Sequence, residues 1–381
     1  MDNKKKQTEG RDQATLDEVR QEIDMLDSQI QALISTRARL AQVVRESKGE
    51  LANAVDYYRP EREAQVLRGV LERNDGPISD AEMLRLFREI MSVCMAQQEP
   101  LKIAYLGPEG TFTQQAVNRH FGHSVRALGL TGIDDVFAQV EAAEADFGVV
   151  PVENSNQGIV SHTLDRFVDS DLKVCGEIEM SIHHNLLSQA KSLAQIERIY
   201  SHQQSLSQCR NWIRQHLPAA ECISVSSNAE AARRVRDSQD AAAISSRSAA
   251  EIYGVPILFA HIEDRADNAT RFLVIGRQLL VPSGHDKTSL MLAGDEGPGA
   301  LYSLLSPLAR HSLNMSRIES RPARAGRWSY IFFIDVDGHA EVEPLKSALT
   351  EMQNQASLTR VLGSYPKAVS SQFSANTIDD D

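Results

Sequence analysis

Apolar residues in the first part of the chain fall at Leu16, Val19, Ile23, Leu26, Ile30 and Leu33. Alternating steps of three and four lay one stripe along a helix, and the stripe predicts a helical seam running to about residue 48. Lys48-Gly49 supplies the stop, a cation in the last turn with a glycine just beyond it. At 1.5 Å per residue such a helix is roughly 50 Å long, and few globular domains hold one of that length without a partner. Shorter helical patterns follow at residues 60–73 and 80–98. After Glu99-Pro100 the rhythm changes. Short apolar runs at 103–106, 147–152, 199–202, 223–225, 241–244 and 272–275 alternate with helical stretches and glycine turns. They predict an α/β segment of largely parallel strands, arranged as two lobes around a cleft. From about residue 287 a third pattern reads strand 289–292, helix 299–311, strands 315–319 and 328–336, helix 342–355 and strand 361–362. That βαββαβ order is ferredoxin-like. The expected domains are thus a helical one at 12–99, an α/β one at 101–280 and an α+β one at 286–366. The polar tail, 367–381, is expected to be disordered.

With 381 residues, 42% hydrophobic and 24% charged, the composition is that of a soluble multidomain protein. A formal net charge of −12 argues against nucleic acid or an anionic membrane surface as partner. Residues 1–13 are polar and lysine-bearing with no apolar stretch behind them, so neither a signal peptide nor an anchor is expected. Cys94, Cys175, Cys209 and Cys222 lack metal-ligand spacing and read as reduced thiols of a cytoplasmic protein.

Candidate chemistry sits in each segment. Arg37 and Lys48 are eleven residues apart on the first helix. Eleven steps of about 100° return to nearly the same face roughly 16 Å further on, where two cations could bracket a small dianion. Arg20 lies roughly 26 Å from Arg37 and about 100° around the axis, so it reaches the same ligand only from a second, antiparallel chain. Arg62 and Glu63 on the second helix, with Cys94 and Gln98 one turn apart on the third, complete the polar set. Taken singly, each is an ordinary solvated helix residue.

In the α/β segment, Asn268-Ala269-Thr270-Arg271-Phe272 opens a buried run and places a carboxamide, a hydroxyl and a guanidinium within four residues. Gly107-Pro108-Glu109-Gly110-Thr111-Phe112 feeds a helix N-terminus, an anion site in principle. It lacks the GxGxxG spacing of a dinucleotide loop. Glu153-Asn154-Ser155 ends one strand, and Ser201-His202-Gln203-Gln204-Ser205 with Gln208 follows another. Capping alone could explain Ser201 and Ser205 but not the carboxamides. His183 and His184 read as structural. In the third segment, Gly299-Ala300-Leu301-Tyr302 starts a helix and Glu319-Ser320-Arg321-Pro322 ends a strand.

These residues carry a resemblance that spans about residues 12–366. The helical segment resembles the all-helical chorismate mutases, which form an intertwined, domain-swapped dimer. The middle segment resembles prephenate dehydratase, whose two lobes are similar to type II periplasmic solute-binding proteins. The third resembles the ACT regulatory domain that accompanies such dehydratases and binds L-phenylalanine. The resemblance implies a bifunctional enzyme converting chorismate through prephenate to phenylpyruvate, with neither cofactor nor metal, as a homodimer or higher homo-oligomer. By resemblance, Arg20 of a partner and Arg37 bind carboxylates, Lys48 and Gln98 face the ether oxygen, and Glu63 takes the substrate hydroxyl. Arg62 and Cys94 are further substrate contacts. In the dehydratase, Thr270 is the candidate proton donor, with Asn154, Gln208 and Glu153 orienting substrate or tuning its network. Thr111 and Ser201 are expected to touch substrate, and Arg271 is either a carboxylate clamp or a structural ion pair. Gly299, Ala300, Leu301, Tyr302, Glu319, Ser320, Arg321 and Pro322 are the implied phenylalanine site. The chain departs from the pattern at Cys94, where serine is often found, at Arg59, where some members carry aspartate, and at Gln203, where proline is usual. Two rivals remain: a dehydratase with a mere helical dimerisation arm, and a non-enzymatic amino-acid sensor.

Overall fold

The computed structural model describes residues 2–48, 58–97, 99–156, 158–294, 297–322 and 330–369. Among the described residues the first segment holds the helices α1 (Asp2–Lys48), α2 (Pro60–Glu72) and α3 (Asp80–Ala96). Pro60 opens α2, where a missing N–H has no consequence. The Ser79 hydroxyl caps α3 by accepting from the Glu82 amide at 3.3 Å. Helix α1 begins well before the apolar seam, and within the chain it rests mainly on α3. Its seam is left in the open: Leu16, Val19, Ile23, Leu26, Ile30 and Leu33 are between 48% and 69% exposed.

The middle segment folds as two lobes. In the first, β1 (Lys102–Leu106), α4 (Phe112–Phe121), β2 (Arg126–Leu130), α5 (Ile133–Glu141), β3 (Phe147–Asn154), β4 (Gly158–Ile159), α6 (Ser161–Asp169) and β5 (Lys173–Ser181) precede the crossover. The second holds β6 (Asn185–Leu187), β7 (Arg198–Ser201), α7 (Gln203–Gln208), α8 (Arg210–His216), β8 (Glu221–Ser224), α9 (Asn228–Val235), β9 (Ala241–Ser245), α10 (Arg247–Tyr253) and β10 (Ile257–Phe259). The chain then returns to the first lobe as β11 (Ala269–Gly276). The sheet orders are β2-β1-β3-β11-β5 and β10-β6-β9-β7-β8. Parallel pairing holds for β1 with β2 and β3, and for β7 with β8 and β9. Strand β11, by contrast, runs antiparallel to both β3 and β5. The expectation of largely parallel strands is therefore corrected to mixed sheets. A run buried on both faces looks the same in either direction, and β11 is buried on both.

The third segment is β12 (Asp286–Ala293), α11 (Ala300–Arg310), β13 (Met315–Pro322), β14 (Tyr330–Asp337), α12 (Leu345–Gln355) and β15 (Leu358–Pro366), with sheet order β13-β14-β12-β15. Its sheet docks on the first lobe: Met291, Phe333, Leu362 and Tyr365 share one core with Phe137, Phe167 and Val174. Strand β15 lies so close to β5 that any side chain at Gly363 would run into the Val174 backbone. The opposite face of the lobe-one sheet packs Phe147, Val149 and Val274 against Phe121 and Tyr58, which joins the helical segment to the same body.

Candidate active site

A cleft of about 350 Å³ lies between the two lobes. Three helices start at its wall: α4 with Thr111 and Phe112, α7 with His202 and Gln204, and α9 with Ser227 and Asn228. Helix N-termini present unpaired N–H groups and partial positive charge. Among the described residues no Lys, Arg, Asp or Glu lines this cleft. What the cleft offers an anion is therefore amides, hydroxyls and helix N-termini, with no cationic side chain among the described lining residues of a chain of net charge −12.

The polar floor comes from β3 and β11, where Thr270 lies opposite Asn154. Successive side chains of a strand point to opposite faces. Thr270 and Phe272 therefore enter the cleft while Arg271 points away. Asn154, 8% exposed, donates its Nδ2 hydrogens to Asn268 Oδ1 at 2.9 Å and Thr270 Oγ1 at 2.9 Å. Its Oδ1 accepts from the Asn156 amide at 3.1 Å, which sets the orientation of the carboxamide. Asn268 Nδ2 donates to Gln208 Oε1 at 3.2 Å, and His184 Nε2 meets that same oxygen at 2.7 Å. An oxygen that only accepts requires the proton on His184 Nε2. Burial, acting against the Gln208 bond, pulls the His184 pKa down and keeps the ring neutral. Among the described residues, His184 Nδ1 and Gln208 Nε2 are buried without a hydrogen-bond partner. The Thr270 oxygen is already an acceptor, so its own O–H is left for the cleft.

The family model for prephenate dehydratase matches residues 103–279, that for chorismate mutase type II matches 19–99, and that for the ACT domain matches 290–352. A bifunctional chorismate mutase/prephenate dehydratase of Pseudomonas aeruginosa is 49% identical over 362 residues, covering 94% of this chain and 99% of that protein. This chain belongs to the bifunctional chorismate mutase/prephenate dehydratase family. Among solved structures, a prephenate dehydratase in complex with L-Phe from Arthrobacter aurescens superposes with a TM-score of 0.65 at 34% identity, covering 70% of this chain and 90% of that one. GqqA, described as a quorum-quenching acylase, also gives a TM-score of 0.65, at 29% identity and covering 70% and 98% of the two chains.

Within this bifunctional family architecture, three residues expected at the dehydratase site lie elsewhere. Arg271 is no clamp. Its guanidinium is buried on the far face, at 2.9 Å from Glu177 Oε2 and 2.7 Å from Asp335 Oδ2. Glu153 shares that face and meets Arg317 at 3.3 Å. Ser201 is fully buried, and its single hydroxyl proton lies within reach of Asn228 Oδ1 at 2.9 Å and the Ile244 carbonyl at 2.7 Å, so it is committed inside the lobe instead of reaching a ligand. Thr111 does line the cleft, where it also caps α4. In the sequence reading Asn268 enters only as the carboxamide of the pentapeptide, His184 is read as structural, and Asn228 is not singled out. Asn268 stands inside the pentapeptide itself, and Asn228 follows the serine pair that caps α9; those were the available signals.

Among the described residues, one chain does not bring the mutase set together. Arg20 is exposed and paired with Asp17 at 3.3 Å, and Arg62 bonds Gln65 on its own helix at 3.4 Å. Arg37 is half-exposed and Cys94 is buried. Glu63 enters a separate pocket with Tyr58, Arg88 and His120, where burial raises its pKa against the pull of Arg88. Lys48 ends α1, and its side chain, like Gln98, lies outside the described residues. In the third segment, Gly299 takes φ +82° and caps α11, with Ala300 opening the helix and Leu301 and Tyr302 exposed beyond it. Glu319 is half-buried and Ser320 exposed on β13, which Pro322 ends. Arg321 faces the first lobe, bonded to Ser161 Oγ at 2.7 Å and to Asp165. It is committed there and corrects the expectation of a free effector contact.

Among the described residues, His183, His261 and Glu263 offer ligand atoms within 4.8 Å of one another. The two imidazoles stack at 4.3 Å and 9°, so their lone pairs run side by side and do not converge on one ion. Glu263 is meanwhile occupied by His183 Nδ1 and the His184 amide, both at 2.8 Å. This group ties together the two crossovers between the lobes.

No helix among the described residues is long and apolar enough to cross a membrane.

Proposed function

We infer that this chain rearranges chorismate to prephenate and converts prephenate to phenylpyruvate, under inhibition by L-phenylalanine. The observation that carries the dehydratase reading is the Asn154 Nδ2–Thr270 Oγ1 bond at 2.9 Å in the cleft wall: the threonine oxygen accepts there, and its proton can turn to a ligand. Prephenate loses carbon dioxide, the electron pair flows into the ring, and the ring hydroxyl departs as water. Aromaticity drives the step. Thr270 donates to the departing hydroxyl, and because a hydroxyl is a weak acid the donation stabilises developing charge more than it transfers a free proton. Asn154, Asn268 and Gln208 hold that hydroxyl in place. The N-termini of α4 and α9 receive the substrate carboxylates.

The mutase site is built across two chains. The half-exposed seam of α1 supports a homodimer, in which Arg20 of one copy approaches Arg37, Lys48, Arg62, Glu63, Cys94 and Gln98 of the other. The Claisen rearrangement is unimolecular, so catalysis comes from holding the compact conformer and stabilising charge on the ether oxygen. L-Phenylalanine binds at the Gly299–Tyr302 turn and the Glu319–Ser320 end of β13; Asn-free, small-residue backbone at Gly299 and Ala300 suits a carboxylate. The free thiols Cys94, Cys175, Cys209 and Cys222 support a cytoplasmic enzyme. The test is a time course with chorismate and no added acid. Transient prephenate followed by phenylpyruvate is expected. Conversion of added prephenate with chorismate untouched would reduce the helices to an arm, and inertness toward both would leave an amino-acid sensor.

A further inference from the structure

The strands that carry Asn154 and Thr270 have a second face, and the third segment grips it. Asn154 is bonded in sequence to Glu153, and Thr270 to Arg271; the register pairs Thr270 with Asn154 and Arg271 with Glu153. Directly behind the catalytic pair, Glu153 meets Arg317 of β13 at 3.3 Å, and Arg271 meets Asp335 of β14 at 2.7 Å. A register shift follows at once between Arg271 and Phe272, so the ladder loses its regularity where these side chains pull. Glu177 and Tyr365 hold Arg271 from the side, at 2.9 Å and 3.2 Å. Lys287 of β12 closes the network on Glu177 at 2.7 Å.

We propose that Arg317 and Asp335 are positioning residues for prephenate dehydration. Contributed by the third segment, they hold β3 and β11 at the spacing that aims the Thr270 hydroxyl into the cleft. The proposal rests on the dehydratase reading above. It assigns to the third segment a share in the basal reaction, beyond effector binding. It also gives the sheet of that segment a mechanical hold on two cleft residues at once: any shift of β13 and β14 against the lobe moves Glu153 and Arg271 together. Misplacement of a reacting group by about 1 Å can cost on the order of 100-fold in rate, so a small shift suffices.

Arg317 and Glu153 lie at the rim of the interface, with side chains 16% and 37% exposed, and are the residues to vary. Arg317→Met is expected to lower kcat on prephenate by about 10-fold or more, with KM within about 2-fold. The mutase rate on chorismate, measured on the same full chain, stays at the wild-type value and serves as the folding control. Arg317→Lys restores most of kcat, and the double variant E153Q/R317M is no slower than the slower single variant. Asp335→Asn gives the same split between kcat and KM. The proposal is overturned if R317M keeps kcat within about 2-fold of wild type. It is equally overturned if kcat, KM and the mutase rate all decline together without rescue by lysine, which is the signature of a merely structural contact. A wild-type chain inert toward prephenate would sink the dehydratase reading itself, a distinguishable failure.

Discussion

Replacing Thr270 by valine keeps the shape of the side chain and removes only the hydroxyl. Asn154 Nδ2 loses one acceptor but retains Asn268 Oδ1 at 2.9 Å and the Ala269 carbonyl at 3.3 Å. The fold should therefore lose no more than about 1 kcal/mol, the net worth of one hydrogen bond. Catalysis loses its donor. General-acid contributions are typically about 10²- to 10⁴-fold, or roughly 2.7–5.4 kcal/mol of barrier. The assay is steady-state formation of phenylpyruvate from prephenate, run beside mutase activity and thermal unfolding of the same preparation. Thr270→Val should lower kcat by that factor with little change in KM, while the mutase rate and melting temperature hold. Thr270→Ser keeps the hydroxyl but loses the β-branch that restricts χ1, and should fall between valine and wild type. Retention of kcat within tenfold in the valine variant would refute the role of Thr270, and with it the reading of the Asn154 bond.

Three further outcomes follow from other parts of the molecule. Leu26→Asp or Ile23→Asp, in the open seam of α1, should shift the protein to a smaller species by sedimentation and lower mutase activity far more than dehydratase activity, because burying each such side chain is worth about 1.5–3 kcal/mol; an unchanged assembly would contradict the two-chain mutase site. Gly363→Val should destabilise the docking of β15 on β5 by several kcal/mol, about the scale of overpacking in a core, and a melting temperature equal to wild type would show that the strands can part freely. His120 has its pKa pushed down from 6.5 to about 3, chiefly by burial and then by Arg88. The unfolded chain takes up a proton that the folded chain refuses between those values, so stability is full above pH 6.5 and declines as the pH falls toward 3. His120→Gln should flatten that acid limb of a melting-temperature profile; superimposable slopes would argue against it.

Much of the fold was legible from residue patterns, for reasons that differ by segment. The seam of α1 and the order of elements in the third segment follow from local periodicity, which each element carries within itself. Strand direction does not. The run at 272–275 is apolar on both faces, and nothing in it distinguishes β11 running antiparallel from a parallel strand. The cleft was half legible. Thr270, Asn154 and Gln208 appear where motif and strand end coincide. The fates of Arg271 and Glu153 were written in the period of two, since a residue next to Thr270 or Asn154 on a strand must face the other way, yet motif reasoning grouped neighbours together. The buried Ser201 and its half-buried partner Asn228 depend on contacts between elements 27 residues apart, which no local pattern contains. The mutase set as proposed draws on a second copy, which one chain does not display.

The absence of any charged side chain around the described cleft has a consequence for turnover. Both lobes contribute helix N-termini, so a ligand with two carboxylates can be gripped from both sides, and each grip is modest because it comes from dipoles. Dehydration destroys one of the carboxylates as carbon dioxide. The product keeps a single anionic handle, and the hold across the lobes is weakened by the reaction itself. On the proposed reading, the chemistry itself removes one of the two groups by which the cleft holds its substrate.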